Sequence, residues 1–263
     1  MSGRFAGRNV IVTGGGRGIG QATARAFAAE GADVMVVSRA VADLAATVDQ
    51  IGQAGGRAWL AKCDVTDESA VDAVVTRAVE RWGAIHVLIN NAGIDDDTPF
   101  LDIDRARWRA VIDTNLTGAF LMAQAVARQM ARAGGGVILH TASIDAAGAD
   151  GPFAAYNASK AALLGLSRTM AVELAAYGIR SNCVSPGFTH TAMTEKAVGP
   201  ELMRYLNGSF ARVPQRRLVR TDEVAEAFLY LASDQASAIT GTELRVDCGL
   251  TANLYILETL PDQ

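Results

Sequence analysis

Tyr156 and Lys160 stand four residues apart in AAYNASKAALLGLSRTMAVELAAYG, and Ser143 lies thirteen residues before the tyrosine. The Ala-rich stretch reads as a long helix, so residues i and i+4 share a face. Free tyrosine titrates near ~10 and moves protons poorly at neutral pH. An ammonium ~4–5 Å away, at an effective dielectric of about 20, favours the phenolate by roughly 3–4 kcal/mol, or about 2–3 pKa units. The spacing therefore predicts a phenol brought towards working pH and suited to proton transfer. The rest of the chain must supply a reaction for it.

The elements that position these residues alternate. RNVIVTGG is a buried-strand pattern, followed by a glycine turn and a helix, RGIGQATARAFAAEG. ADVMVVSR, RAWLAKCDV, IHVLINNAG, GVILHTAS, IRSNCVSPG and TGTELRVDCG read as further strands. Helices separate them: VADLAATVDQIGQAG, one ending near Trp82, one over 105–133, the Tyr156 helix, and TDEVAEAFLYLAS. The β-α-β-α rhythm predicts an α/β fold, a Rossmann-type doubly wound parallel sheet with helices on both faces. The apolar strands lack polar alternation, as burial on both faces requires. No composition break divides 1–263, so the expectation is one domain. Only 191–219 departs from the rhythm; its helix AVGPELMRYLNG predicts a small lid over the site.

Thr13-Gly14-Gly15-Gly16-Arg17-Gly18-Ile19-Gly20 sits after the first strand and opens the first helix. Glycines permit the tight turn, and backbone N–H groups with the helix dipole favour a pyrophosphate. After strand one of a doubly wound sheet, that turn is where a dinucleotide binds. The second strand ends at Val37-Ser38-Arg39, where an acid would bind the ribose 2′-hydroxyl of NAD(H). Ser38 stands there instead. Arg39 and Arg17 supply positive partners for a 2′-phosphate, so NADP(H) is the preferred cofactor, with NAD(H) left open.

Composition narrows the classes further. The 263 residues are 50% hydrophobic, enough for a substantial core, and carry a net charge of −4. No basic stripe points to nucleic acid. No 18-residue apolar run predicts a membrane span, and the N-terminus lacks a signal-peptide pattern, so the cytoplasm is the expected location. Cys63, Cys183 and Cys248, odd in number and widely spaced, argue against a disulfide framework or a cysteine-based zinc site. His86, His140 and His190 are scattered, and no metal site is expected.

TGGGRGIG (13–20), NNAG (90–93), Asn115, Ser143, YNASK (156–160) and PG (186–187) occur together, in this order, along nearly the whole chain. In this the sequence resembles the short-chain dehydrogenase/reductase family, its compact single-domain branch. The resemblance implies hydride transfer between a nicotinamide and a carbonyl or secondary alcohol. It implies that Tyr156 is the acid/base, that Ser143 orients the reacting oxygen, and that Lys160 also holds the nicotinamide ribose. Asn115 is implied to hold a water linking Lys160 to solvent. Asp64 and Val65 would contact adenine; Asn91, Ala92 and Gly93 would lie beside its ribose. Gly14, Gly16, Gly18 and Ile19 would line the diphosphate, Pro186, Gly187 and Thr189 the nicotinamide, and Thr191 its carboxamide or the diphosphate. Two positions depart from the family pattern: Ala142 replaces a common serine, and VDCG replaces VDGG.

Two rivals stand beside this reading. An epimerase or dehydratase with a retained cofactor usually carries a separate C-terminal substrate domain, and only about 75 residues follow Pro186. A non-enzymatic NADP(H) sensor would be expected to lack part of the catalytic set, and none is missing. The small-molecule substrate stays open between a ketoacyl compound, a polyol and a cyclic ketone or alcohol. ARVPQRRLVRTDEVAEAFLYLAS resembles the 3-oxoacyl-thioester reductases, but discriminates poorly within the family. Residues 94–98, 144–153 and 191–210 are the candidate lining. Asp95, Asp96 and Asp97 could bind a polar or cationic substrate, though a charge run in a loop is more often solvated, and Asp145 and Asp150 could face a hydroxylated substrate. A homotetramer is the family expectation, with apolar helix faces and the tail ANLYILETLP in accord.

Overall fold

The computed structural model describes residues 3–208 and 210–253. Seven strands alternate with helices along the chain. They are β1 (Asn9–Thr13), β2 (Asp33–Ser38), β3 (Arg57–Lys62), β4 (Val87–Asn90), β5 (Gly136–Thr141), β6 (Ile179–Pro186) and β7 (Glu243–Val246). All pair in parallel, in the order β3-β2-β1-β4-β5-β6-β7. Sequence order reverses between β1 and β4, which opens a crevice at the carboxyl ends of those strands. The glycine turn leaves β1 there, and NNAG leaves β4.

Two apolar layers cover the sheet because alternate strand residues face opposite sides. Val10, Val12, Val34, Val36 and Ile89 pack against α1 (Gly18–Ala29), α2 (Val41–Gln53) and α8 (Thr221–Ala232). Ile11, Met35, Val37, Leu88 and Ile138 pack on the other side, against α3 (Glu68–Trp82), α5 (Gly118–Ala133) and α6 (Ala154–Glu173). Phe27 and Phe228 have no exposed surface, and burying each contributes about 1.5–3 kcal/mol. Asp67 caps α3 by accepting from the N–H groups of Ser69 and Ala70, and Gly83 ends it at φ 77°.

α4 (Arg105–Ile112) runs into α5 through one π-turn, Asp113–Thr117, giving an unbroken helical run over Arg105–Ala133. This corrects one expectation. The run is long enough to span a membrane and holds an 18-residue window of mean hydropathy 1.2. Half of that window is buried inside the fold, the mark of a core helix. Its apolar face satisfies the β4–β5 side of the sheet.

The 191–219 segment forms α7 (Ala192–Gly208), which bends at Gly199 (φ 71°) and Pro200. Its base is closed by a short parallel bridge between Thr189 and Val219. There His190 N–H donates to Val219 O (3.0 Å) and Val219 N–H to Phe188 O (2.8 Å). Met203, Leu206 and Phe210 form a small apolar cluster with Ile144, Val213 and Leu218. The segment thus has its own packing and contributes no strand to the sheet. The tail expected to join an oligomer, ANLYILETLP, lies mostly outside the described residues.

Candidate active site

β5 ends at Thr141, and the chain turns at once through Ala142 and Ser143. Ser143 is extended (φ −165°) and caps a short turn over Ile144–Ala146. Its hydroxyl donates to Asp145 Oδ2 (3.2 Å) and accepts from Asp145 N–H (3.1 Å). α6 then presents Tyr156 and Lys160 on one face, as their spacing predicts. Ser143 and Tyr156 line one cavity of about 600 Å³. Ile19, Pro186, Gly187, Thr189 and Thr191 line it on the side of the glycine turn and the β6 end, and α7 covers it with Met193, Leu202 and Leu206. A second hollow of about 330 Å³, between α1 and His190–Glu195, contains no member of the triad.

Lys160 is 4% exposed, and its ammonium donates to Thr141 O at 2.7 Å. Burial pushes its pKa down to about 8. Its Nζ lies over the Tyr156 ring, 5.3 Å from the centroid. Here the sequence expectation needs correction. Tyr156 is half-buried by surface, yet packing around it pushes the phenol well above its ordinary range. Burial is the largest cause; the Ser143 hydroxyl pulls the other way, and Asp145, Asp95 and Asp150 add to the rise. The ammonium faces the ring rather than the hydroxyl, so it does not offset these effects. In this state the phenol keeps its proton.

Asn115 lies in the π-turn and is 1% exposed. Its Oδ1 accepts from Ile94 N–H (2.8 Å), and Nδ2 donates to Ile94 O (2.9 Å) and Ser159 Oγ (3.0 Å). Both amide hydrogens are therefore engaged. A Cβ placed on Gly93 would lie 3.3 Å from Asn115 Oδ1 and 3.7 Å from Lys160 Nζ, so a bare backbone there brings the two together. Such π-turns recur at functional sites because they re-aim one residue without ending the helix.

The glycine turn fits a dinucleotide by its own geometry. Arg17 precedes α1 without any side-chain cap, and the first turn holds no acid, so its N–H groups point unblocked into the crevice. Gly14 and Gly18 adopt positive φ (65° and 55°). A Cβ on Gly20 would collide with Gly14 O, and one on Gly16 would sit 2.8 Å from Asp43 Cβ. A Cβ on Gly18 would lie 3.5 Å from Thr191 Cγ2, which places Thr191 over the turn. Thr189 is 5% exposed and donates to Gly187 O (2.9 Å). Asn91 and Ala92 both donate their N–H to Thr13 Oγ1 at 3.0 Å, closing the crevice floor between β1 and β4.

At the far end, Ser38 Oγ accepts from Ala40 N–H (3.2 Å) and shapes the turn after β2. Arg39 is well exposed and lies 3.5 Å from Asp64 Oδ2. Asp64 also accepts from Thr66, whose backbone N–H holds its carboxyl below the usual range. Val65 is buried against Gly118. Arg17 is exposed; its carbonyl accepts from Gln21 N–H (3.2 Å). His140, on β5, is fully buried, and burial drops its pKa to about 4. Among the described residues no His, Cys, Asp or Glu cluster is arranged for a metal ion.

Sequence reasoning passed over Ser159, the crevice-closing role of the Thr13 hydroxyl, and the hydrogen bond between Ser143 and Asp145, although Asp145 itself was a candidate. The last had a signal: a serine followed two residues later by an acid is a local hydrogen-bonding motif. The acidic run after NNAG also divides. Asp96 turns to Arg107 (3.3 Å), and Asp95 and Asp97 both border the cavity, Asp95 half-buried and Asp97 exposed to solvent.

Comparison with known proteins gives this geometry a lineage. The family described as enoyl-(acyl carrier protein) reductase matches residues 14–251. The chain is 41% identical over 257 residues to cis-4-hydroxycyclohexanecarboxylate dehydrogenase of Sinomonas cyclohexanicum, covering 96% of this chain and 100% of the relative. It is 37% identical over 247 residues to the 3-oxoacyl-(acyl-carrier-protein) reductase of Thermotoga maritima, covering 94% and 99%. A 7α-hydroxysteroid dehydrogenase, solved with NADH and 7-oxo glycochenodeoxycholic acid, aligns with a TM-score of 0.89 at 35% identity, covering 94% of this chain and 95% of that one. The chain belongs to the short-chain dehydrogenase/reductase family and is an oxidoreductase of CH–OH groups.

Proposed function

We propose that the chain interconverts a carbonyl and a secondary alcohol with NADP(H), Tyr156 acting as acid and base. The observation that carries this is one cavity shared by Ser143, Tyr156 and the Pro186–Thr191 side of the crevice. When bound, the nicotinamide supplies or accepts the hydride. The protonated Tyr156 phenol is in the state needed to donate to a developing alkoxide. Ser143 orients the same oxygen. Lys160, with one partner for three N–H donors, has hydrogens left for ribose hydroxyls. Asn115 clamps Ile94, the neighbour of Gly93 whose bare backbone lies close to Lys160, and its Oδ1 keeps a lone pair for a water on the proton route. The open N-terminus of α1, with Gly14, Gly16, Gly18 and Ile19, holds the diphosphate under Thr191. Asp64, Val65, Asn91, Ala92 and Gly93 flank the adenosine, and Pro186, Gly187 and Thr189 the nicotinamide.

Replacing Tyr156 with Phe tests the mechanism directly. Turnover should fall by about 100-fold or more while cofactor titration is unchanged, because a positioned proton donor contributes that much. Full turnover would end the reading. The cofactor preference rests on Arg17 and Arg39, a pair of cations with no acid at position 38. Arg39→Ala should raise the KM for NADPH far more than that for NADH; equal rises would remove the 2′-phosphate assignment. The apolar lid side of the cavity, and a cyclohexane-ring relative, support a cyclic ketone or alcohol over a polyol or ketoacyl substrate. The chain forms one domain, with 191–219 as its lid. Exposed Phe100, Leu101, Trp108 and Phe120 around the Arg105–Ala133 run support a homotetramer, which light scattering tests. Fractionation of the native host tests a cytoplasmic location.

A further inference from the structure

A serine hydroxyl has one hydrogen to give. Here Ser143 gives it to Asp145 Oδ2, in competition with the Tyr156 oxygen that it also reaches, while Asp145 N–H occupies a lone pair of the same hydroxyl. The proposed reaction needs that hydrogen on the reacting oxygen. An ionised Asp145 competes for it unless another donor satisfies the carboxylate.

Among the described residues no other side chain does so. Asp150, on the same loop, is a second carboxylate and repels Asp145. Lys160, from α6, acts on it only at a distance, since its ammonium is bonded to Thr141 O. Tyr156, also from α6, and Asp95 and Asp97, from the loop after β4, complete the charged and titratable surroundings among the described residues. Asp145 itself lines the cavity. Asp145 faces the open cavity, so a bound molecule carrying an N–H or O–H is placed to supply the donor.

We propose that Asp145 is a positioning and specificity-determining residue: it accepts a hydrogen bond from a hydroxyl or ammonium group on the substrate beside the reacting carbonyl, and so releases the Ser143 hydrogen to the carbonyl oxygen. This rests on the reaction proposed above. Geometry sets the reach. Asp145 Oδ2 is 3.2 Å from Ser143 Oγ, and a hydroxyl bond to the substrate oxygen adds about 2.8 Å, so the carboxylate lies within about 6 Å of the reacting oxygen. A donor one or two carbons from the carbonyl meets that limit. Hydroxyketones and aminoketones are the favoured class. An anionic group in the same place would face Asp145 and Asp150 together and be rejected.

Paired probes test this: cyclohexanone against 2-hydroxycyclohexanone, and 2-butanone against acetoin, with NADPH and with NADH. The wild type should prefer the hydroxylated member by about 10- to 100-fold in kcat/KM, the weight of a hydrogen bond to a charged group. Asp145→Asn leaves one uncharged acceptor oxygen and adds a donor, so it holds the Ser143 hydrogen more weakly. It should raise kcat/KM on the plain ketone and lower it on the hydroxyketone, collapsing the ratio. Asp145→Ala, should the first variant fold poorly, should collapse it as well. A structural role alone would lower both substrates together. A ratio retained in both variants, a parallel loss on both probes, or no wild-type preference in any pair overturns the proposal. Turnover that survives Tyr156→Phe marks failure of the underlying reaction instead.

Discussion

Lys160 is expected to weaken the fold it serves. The native ammonium titrates at about 8, against 10.5 for an ordinary lysine. Between those pH values the unfolded chain binds more protons than the native one, so wild-type stability rises with pH there. Below pH 8 the whole penalty of the buried charge is present, about 3 kcal/mol at ~1.4 kcal/mol per pKa unit. Lys160→Met keeps the length of the side chain and removes the charge. It also strips Thr141 O of a donor, a loss of about 1 kcal/mol. The cofactor-free variant should therefore be more stable than wild type by about 2 kcal/mol at pH 7. Urea unfolding followed by tryptophan fluorescence, at pH values from 7 to 10, reads this as a shift of the midpoint. The gap should shrink as pH rises through 8 to 10.5, while turnover is lost at every pH. A variant less stable than wild type at pH 7, or a gap that ignores pH, would refute the reasoning.

Two further outcomes follow from packing. Gly20→Ala should cost about 1–3 kcal/mol by overpacking, since its Cβ runs into Gly14 O and approaches Asn91 Nδ2, and should weaken dinucleotide binding with it. Thermal melts with and without NADPH check both effects; an unchanged melting point and unchanged cofactor shift would show that the turn is not tight. Burial raises the Cys63 and Cys183 thiols to about 11 and about 12, and that of Cys248 above its usual value. Native protein at pH 7.5 should therefore react slowly with a thiol reagent at all three positions and rapidly in urea. Fast labelling of any one in the native state would contradict its placement.

Much of this was legible in local pattern. The apolar strands and the glycine turn after β1 sufficed for the doubly wound sheet, because burial on both faces leaves no other use for such runs. The Tyr156–Lys160 spacing placed both on one helical face. What spacing could not convey is direction and depth. It put the ammonium near the phenol but not over its ring, and it could not count the carboxylates that the 94–97 and 145–150 loops bring to the same hollow. The Arg105–Ala133 helix was legible as a helix, yet its π-turn was not, since one extra residue in a turn leaves no compositional trace. Asp145 was visible as a neighbour of Ser143, and only the fold of the turn after β5 shows that it takes the serine's hydrogen.

The Thr189–Val219 bridge carries a consequence for how such a chain can change. It pins both ends of the lid to the rim of the sheet, so everything between them is a tethered loop with a fixed mouth. Doubling the length of a tethered loop costs only about 0.6 kcal/mol in closure entropy. The segment can therefore lengthen, shorten or be exchanged wholesale while β1, β4, β5 and α6 keep their positions. Substrate choice and hydride chemistry are then inherited separately: a chimaera that keeps the bridge and imports another lid should acquire new ketones without losing its cofactor.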